Sequence, residues 1–284
     1  MNGIIGAIVG NSVGQSYEII KTRDYNFNMI YDKGNAADDS VAILAVADWL
    51  MSTAHTNDAL IDKLHFWCNK FNYGMYNYGN AVKFKDWVRN KEREPYNSYG
   101  NGSAMRVIPV GFYADTLENC LYLAEKSAEI THNHPEGIRG AKAIAAAIYL
   151  IRQGKSKKAI KTYIMNEFGY DLNVPYSTLY KNHKFECTCQ RSVPAALICW
   201  LASKSYEDAV RKAVCLGGDA DTEAAIAGAL AAADPKTPVD DELVHDVIRF
   251  FSMDFLDLLK KWHEEVEGNY ENNQIKDLRK KGDN

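Results

Sequence analysis

Two short acidic motifs, far apart in the chain, hold the residue types best suited to chemistry. The first is Ala37-Asp38-Asp39-Ser40, which follows the turn-forming run Asp32-Lys33-Gly34-Asn35. Adjacent carboxylates repel unless a cation or water separates them. At a helix start the macrodipole and free N–H groups relieve that repulsion, so an N-cap with an extra acid is a competing reading. The second motif is Leu216-Gly217-Gly218-Asp219-Ala220-Asp221-Thr222. Its glycines permit a tight turn, and two carboxylates and a hydroxyl then open an Ala-rich segment. Hard cations such as Mg²⁺, Mn²⁺ or Ca²⁺ take oxygen ligands of this kind. A cap needs one Asp, and two carboxylates at the start of so apolar a helix are costly to bury without a cation.

Two further segments could touch a ligand. The turn Gly100-Asn101-Gly102-Ser103 opens a helix and offers backbone N–H groups that suit a phosphate. In Thr131-His132-Asn133-His134-Pro135-Glu136 the histidines could ligate a metal, stack on a base, or precede Pro135 at a helix start, which is the commonest of the three. His183, Cys187 and Cys189 have no obvious fourth ligand, and the Cys spacing is too tight for structural zinc.

Helices must position these motifs. Apolar residues recur with helical period over 39–51, 117–130, 136–151, 192–202, 206–215, 222–233 and 242–262, and 1–14 reads as a buried first helix. Alternating strand patterns are hard to find, so the expected fold is all-α, a single multi-helix orthogonal bundle. Ala and Gly concentrate near 3–14, 140–147 and 220–233, where small side chains let helix axes approach; these segments are expected at its centre. No Ser/Gly-rich linker splits the chain, so one domain is expected over 1–284, with a polar exposed end at about 268–284. The aromatic run around Trp67, Phe71, Tyr73, Tyr76 and Tyr78 reads as a surface loop or cap, and 83–93 as a solvated basic helix face.

Composition removes several function classes. With 46% hydrophobic and 25% charged residues among 284, collagen-like, mucin-like and disordered chains are out. A net charge of −4 gives no overall reason to wrap nucleic acid. Six cysteines are too few for a disulfide scaffold and fit a reducing cytoplasm. No apolar stretch reaches the roughly 18 residues a membrane span needs, and 1–14 lacks the basic leader of a signal peptide. A cytoplasmic protein with no membrane partner is expected.

Taken in order, the motifs resemble the ADP-ribosylglycohydrolase family, which includes the dinitrogenase reductase-activating glycohydrolase and the ADP-ribosyl-acceptor hydrolases. The family's small-residue opening helix and Gly-x-x-x-Glu loop fall on Gly6 through Glu18, and its Thr-Asp-Asp-[Ser/Thr] motif on Ala37 through Ser40. Its Gly-Asn-Gly-[Ser/Ala]-x-Met-Arg motif falls on Gly100 through Arg106. Thr131-His132 and Gly217 through Thr222 complete the series. The resemblance implies a metal-dependent hydrolase that cleaves the glycosidic bond between ADP-ribose and an acceptor. It implies two Mg²⁺ or Mn²⁺ ions, one on Asp38 and Asp39, the other on Asp219 and Thr222, with Asp221 bridging. Asp38, Asp39 and Glu18 would serve catalysis, Gly100, Asn101, Gly102 and Ser103 would cradle the diphosphate, and His132 would lie near the ADP-ribose. The acceptor would be an ADP-ribosylated protein or small molecule, or a nucleobase; nucleic acid itself is not an expected partner.

Two positions depart from the family pattern. Ala37 stands where the motif has Thr, so one protein oxygen is missing from the first ion site. Asn11 stands where many members have Asp, keeping the acceptor oxygen and losing the charge. Ala37 motivates an alternative, a weakened or inactive member that binds ADP-ribose without turnover. The five intact residues Asp38, Asp39, Asp219, Asp221 and Thr222 favour activity.

Overall fold

The apolar opening segment forms α1 (Ile4–Gln15), buried from Ile4 through Gly14 with no polar face. The computed structural model describes residues 3–29, 38–71 and 82–268, with Asp38 described by its backbone alone. Ala37, Tyr73, Tyr76, Tyr78 and nearly all of the polar C-terminal stretch lie outside the described residues. Every regular element among the described residues is helical; the one β-type contact is an isolated bridge between Gly100 and Thr188.

After α1 come α2 (Asp38–Leu50), α3 (Asn57–Lys70), α4 (Val82–Arg89), the short α5 (Gly102–Arg106) and α6 (Ile108–Tyr113), then α7 (Leu117–Glu129) and α8 (Pro135–Arg152). The second half contains α9 (Lys157–Phe168), α10 (Tyr176–Asn182), α11 (Cys189–Ala202), α12 (Tyr206–Cys215), α13 (Ala220–Ala232), α14 (Asp241–Ile248) and α15 (Met253–Trp262). Many starts are set by a hydroxyl cap. Thr56, Thr116, Ser156, Ser205 and Ser252 each accept a hydrogen bond from the backbone N–H three residues on, satisfying a donor the helix itself leaves open.

The small-residue segments meet as expected in one case and differ in another. α1 lies directly on α13. A Cβ at Gly10 would fall 2.9 Å from the Ala224 carbonyl carbon, and one at Gly14 would fall 2.6 Å from the Asp221 Cα. Those separations leave no room for any side chain, so glycine is what permits the approach. α8 is buried over its Ala-rich middle, and its close approaches are to α11, where a Cβ at Gly140 would fall 2.8 Å from the Cys189 Cβ, and to α6, where one at Gly111 would fall 2.8 Å from Ala145 O.

The periodic stretch 242–262 is two helices. Phe250 and Phe251 donate to Val247 and Ile248 in a closing turn, and Ser252 caps a new start. Phe251 then packs on Phe255 with ring centroids 4.4 Å apart, so the apolar pattern continues through the break. No helix among the described residues is long and apolar enough to cross a membrane.

Candidate metal centre at the start of α13

The glycine turn before α13 sets the geometry of the acidic motif. Gly217 has φ of 68°, a left-handed conformation that favours glycine. Gly218 is required for space, since a Cβ there would collide with the His183 ring and lie 2.7 Å from Glu223 Oε2. Asp219 occupies the N-cap position, yet its carboxylate makes no capping hydrogen bond. It accepts instead from Asn101 Nδ2 at 2.6 Å. The capping explanation of this acid therefore fails. Burial pushes the Asp219 pKa up, against hydrogen bonds from Asn101, Asp221 and Cys187 and the charge of Lys21.

Glu18, Asp219 and Asp221 present carboxylate oxygens within 4.8 Å of one another. Asp219 and Asp221 are buried and Glu18 is half-buried. Three carboxylates this close repel strongly unless protons or a cation neutralise them. An all-oxygen donor set of this charge fits a hard divalent cation.

The first acidic motif arrives at the same place. Thr222 Oγ1 donates to Asp39 Oδ2 at 2.7 Å across 183 residues of sequence. Asp39 is held there by the start of α2, where the backbone N and Oγ of Ser40 both donate to Asn11 Oδ1, at 3.2 and 2.8 Å. Asn11 thus joins α1 to α2 with its acceptor oxygen, a task that does not need the charge of Asp. Ser40 is fully buried and faces α1.

The Gly100–Ser103 turn packs against His132. A Cβ at Gly100 or at Gly102 would fall 3.5 Å from His132 Nε2. Asn101 faces the acidic cluster, with Ser192 Oγ as a second partner at 2.9 Å. The Ser103 hydroxyl is buried and donates to Gly137 O at 2.8 Å. His132 Nδ1 pairs with Thr131 Oγ1 at 2.8 Å, and that oxygen accepts from Arg106 Nη2 at 2.7 Å. Burial, with the nearby Arg106 guanidinium, holds the His132 pKa well below its usual range, so the ring is neutral. His134 caps α8 through Nδ1.

His183, Cys187 and Cys189 do not converge. His183 Nε2 pairs with the buried Glu223 Oε1 at 2.7 Å, and Cys189 Sγ donates to Gly100 O at 3.0 Å. Burial raises the Glu223 pKa to about 7 in spite of the His183 contact.

A family model described as ADP-ribosylglycohydrolase matches residues 1–234. The chain belongs to the ADP-ribosylglycohydrolase family. Human ADP-ribosylhydrolase ARH3 is 25% identical, over 81% of this chain and 83% of its own. The ADP-ribosylarginine hydrolase Tri1 of Pseudomonas putida is 24% identical, over 81% of this chain and 68% of its own. A solved structure described as an ADP-ribosylglycohydrolase-related protein complex superposes with a TM-score of 0.61 at 20% identity, over 87% of this chain and 96% of that one. It shares the all-α fold. Several side chains around the clustered carboxylates are not assigned to this site by motif reading. Glu223 looks like an ordinary first-turn acid, Cys187 reads only as part of a zinc cluster and not as a neighbour of Asp219, and Lys21 carries no motif at all.

Proposed function

We propose that this chain is a divalent-metal-dependent hydrolase that removes ADP-ribose from an acceptor by cleaving the glycosidic bond at the anomeric carbon. The observation that supports it most is the Thr222–Asp39 hydrogen bond beside the Glu18, Asp219 and Asp221 carboxylates. Two motifs that a divalent centre needs meet at one point, although either alone has an ordinary structural explanation.

The residues that would hold two Mg²⁺ or Mn²⁺ ions are Asp38, Asp39, Asp219, Asp221 and Thr222, with Glu18 beside them. When bound, such ions supply a nucleophilic water at neutral pH and fix the ribose hydroxyls. Asn101 holds the Asp219 carboxylate in one orientation, so it acts as a positioning residue as well as a wall of the cradle. Gly100 and Gly102 border the His132 Nε2 edge, where their backbone would face the diphosphate or distal ribose. When the Thr131 hydroxyl donates to Nδ1, the His132 proton sits on Nε2, where it can donate to a substrate oxygen. Glu18 stands where a carboxylate could take or return a proton at the anomeric centre, whose positive charge develops as the bond breaks.

The acceptor class is that of an ADP-ribosylated protein side chain or small molecule. Asp219→Ala and Asp39→Ala are expected to abolish ADP-ribose release while leaving the fold intact by circular dichroism. Full activity in both variants would overturn the proposal. The Ala37 departure favours a second reading, in which ADP-ribose binds without turnover. In that case Ala37→Thr would raise the rate from an undetectable baseline, whereas an active enzyme would show turnover before the change.

A further inference from the structure

The loop after α1 carries Glu18 and is fastened at two ends by different parts of the molecule. At its far end Arg211 Nη1 donates to the carbonyls of Tyr25 and Phe27, at 2.9 and 2.6 Å. The Tyr25 hydroxyl donates to Asp208 at 2.7 Å, and the Tyr17 hydroxyl to Asn28 O at 2.7 Å. These contacts tie 25–28 to α12 and back to the end of α1.

The near end is fastened differently, by two cations. Lys21 Nζ donates to Gly217 O at 2.7 Å, and Arg23 Nη2 donates to Leu216 O at 3.2 Å. Arg23 Nη1 also donates to Tyr180 O, and the Tyr180 hydroxyl returns a bond to Arg23 O at 3.2 Å. Each cation lies over an aromatic ring, Lys21 over Phe185 and Arg23 over Tyr180, both at 4.7 Å from the centroid. The two carbonyls they grip belong to the glycine turn that leads directly into Asp219 and Asp221.

We propose that Lys21 and Arg23 are positioning residues that clamp the Glu18 loop onto the Leu216–Gly217 carbonyls and so hold Glu18 opposite Asp219 and Asp221. The inference rests on the reading that these carboxylates bind a divalent cation. Three carboxylates do not stay within 4.8 Å of one another by mutual attraction; the packing of α1 on α13 brings the turn that carries Glu18 near them, and the loop beyond Glu18 still has to be fixed. Two cations on backbone carbonyls fix it without taking up any carboxylate oxygen. Because the far end stays fastened to α12, loss of the clamp frees a few residues near Glu18 and not the whole excursion.

The clamp makes a prediction opposite in sign to simple electrostatics. An ammonium close to a divalent site repels the ion, so a purely electrostatic Lys21 would tighten Mn²⁺ binding on removal. A clamp would weaken it, because the freed loop must be ordered again when the ion binds. The test is Mn²⁺ binding to the full chain by electron paramagnetic resonance, for wild type, Lys21→Met, Arg23→Met, the double variant and Lys21→Arg. Methionine keeps an apolar stem for the aromatic ring and removes both donor and charge. The double variant is expected to bind Mn²⁺ about tenfold more weakly, the order set by re-ordering one or two residues. Its turnover should recover at saturating Mn²⁺, and its metal-free melting temperature should fall by only the few degrees that the lost contacts account for, while Lys21→Arg should bind like wild type. Unchanged or tighter binding in the double variant would overturn the clamp alone. So would weaker binding whose turnover saturating Mn²⁺ fails to restore, which would mark a general structural role. A wild-type chain that binds no Mn²⁺ would overturn the clamp together with the metal-centre reading beneath it.

Discussion

At the residue scale the centre is defined by where its carboxylates send their hydrogen bonds. Asp219 has the position of a helix cap and the partners of a ligand, with Asn101 on its oxygen and no amide of α13. The motifs were legible in sequence because their residue types are themselves the chemistry. Asn101 as an anchor for Asp219, the Glu223–His183 pair and the two clamp cations were not, because each depends on segments that meet only in the folded chain. His132 gives a pH prediction. Its pKa lies well below 6.5 in the fold, through burial and Arg106; Tyr96, which also faces it, is neutral, its own pKa pushed up to about 12. The unfolded chain therefore takes up a proton that the folded chain refuses as pH falls below about 6.5. This histidine's contribution to stability is intact above that pH and is lost as pH falls toward the folded value. Urea unfolding at pH 7.5, 6.5 and 5.5 should show a shallower acid-side decline in His132→Gln than in wild type, by up to about 1.4 kcal/mol per pH unit. Parallel curves would remove His132 as the source.

At the element scale the α1–α13 contact decides both stability and site geometry. Helix existence was legible from periodicity and caps, and the approach of α1 to α13 from their Ala and Gly content. The break between α14 and α15 was not, since Phe250 and Phe251 keep the apolar pattern running through a turn that Ser252 then caps. Likewise α5 and α6 are too short to show a period of their own. Two glycines at opposite ends of the α1–α13 contact separate the roles. A Cβ at Gly6 would lie 3.1 Å from Gly228 O and would also crowd Ala232, far from the carboxylates. A Cβ at Gly14 would lie against the Asp221 backbone. Both Gly6→Ala and Gly14→Ala should destabilise the chain by about 1–3 kcal/mol through overpacking. Only Gly14→Ala should also weaken Mn²⁺ binding, because it displaces Asp221. Equal Mn²⁺ affinities in the two variants would contradict that assignment.

At the scale of the whole molecule the chain returns to its own beginning. Glu267 Oε1 accepts from the Ile4 backbone N at 3.1 Å and from Trp262 Nε1 at 2.8 Å, so an acid from the far end caps α1. That closure involves residues beyond the family match, which ends at residue 234. It was not legible in sequence, because Glu267 is one of three closely spaced acids, Glu264, Glu265 and Glu267, with no pattern to single it out. What was legible is the family, from five motifs in order, and with it the all-α fold. What neither motif nor fold encodes is the acceptor, since on the proposed reading the acidic residues would hold the ribose and not the group that leaves. The measurement closest to the central claim is release of free ADP-ribose from a panel of acceptors, including ADP-ribosylated arginine, serine and a nucleobase. It is run in excess Mg²⁺ or Mn²⁺ beside a chelated control. Release from at least one acceptor class, lost on chelation and regained on adding metal, is the predicted result. Release that survives chelation, or none from any acceptor at any metal concentration, would contradict it.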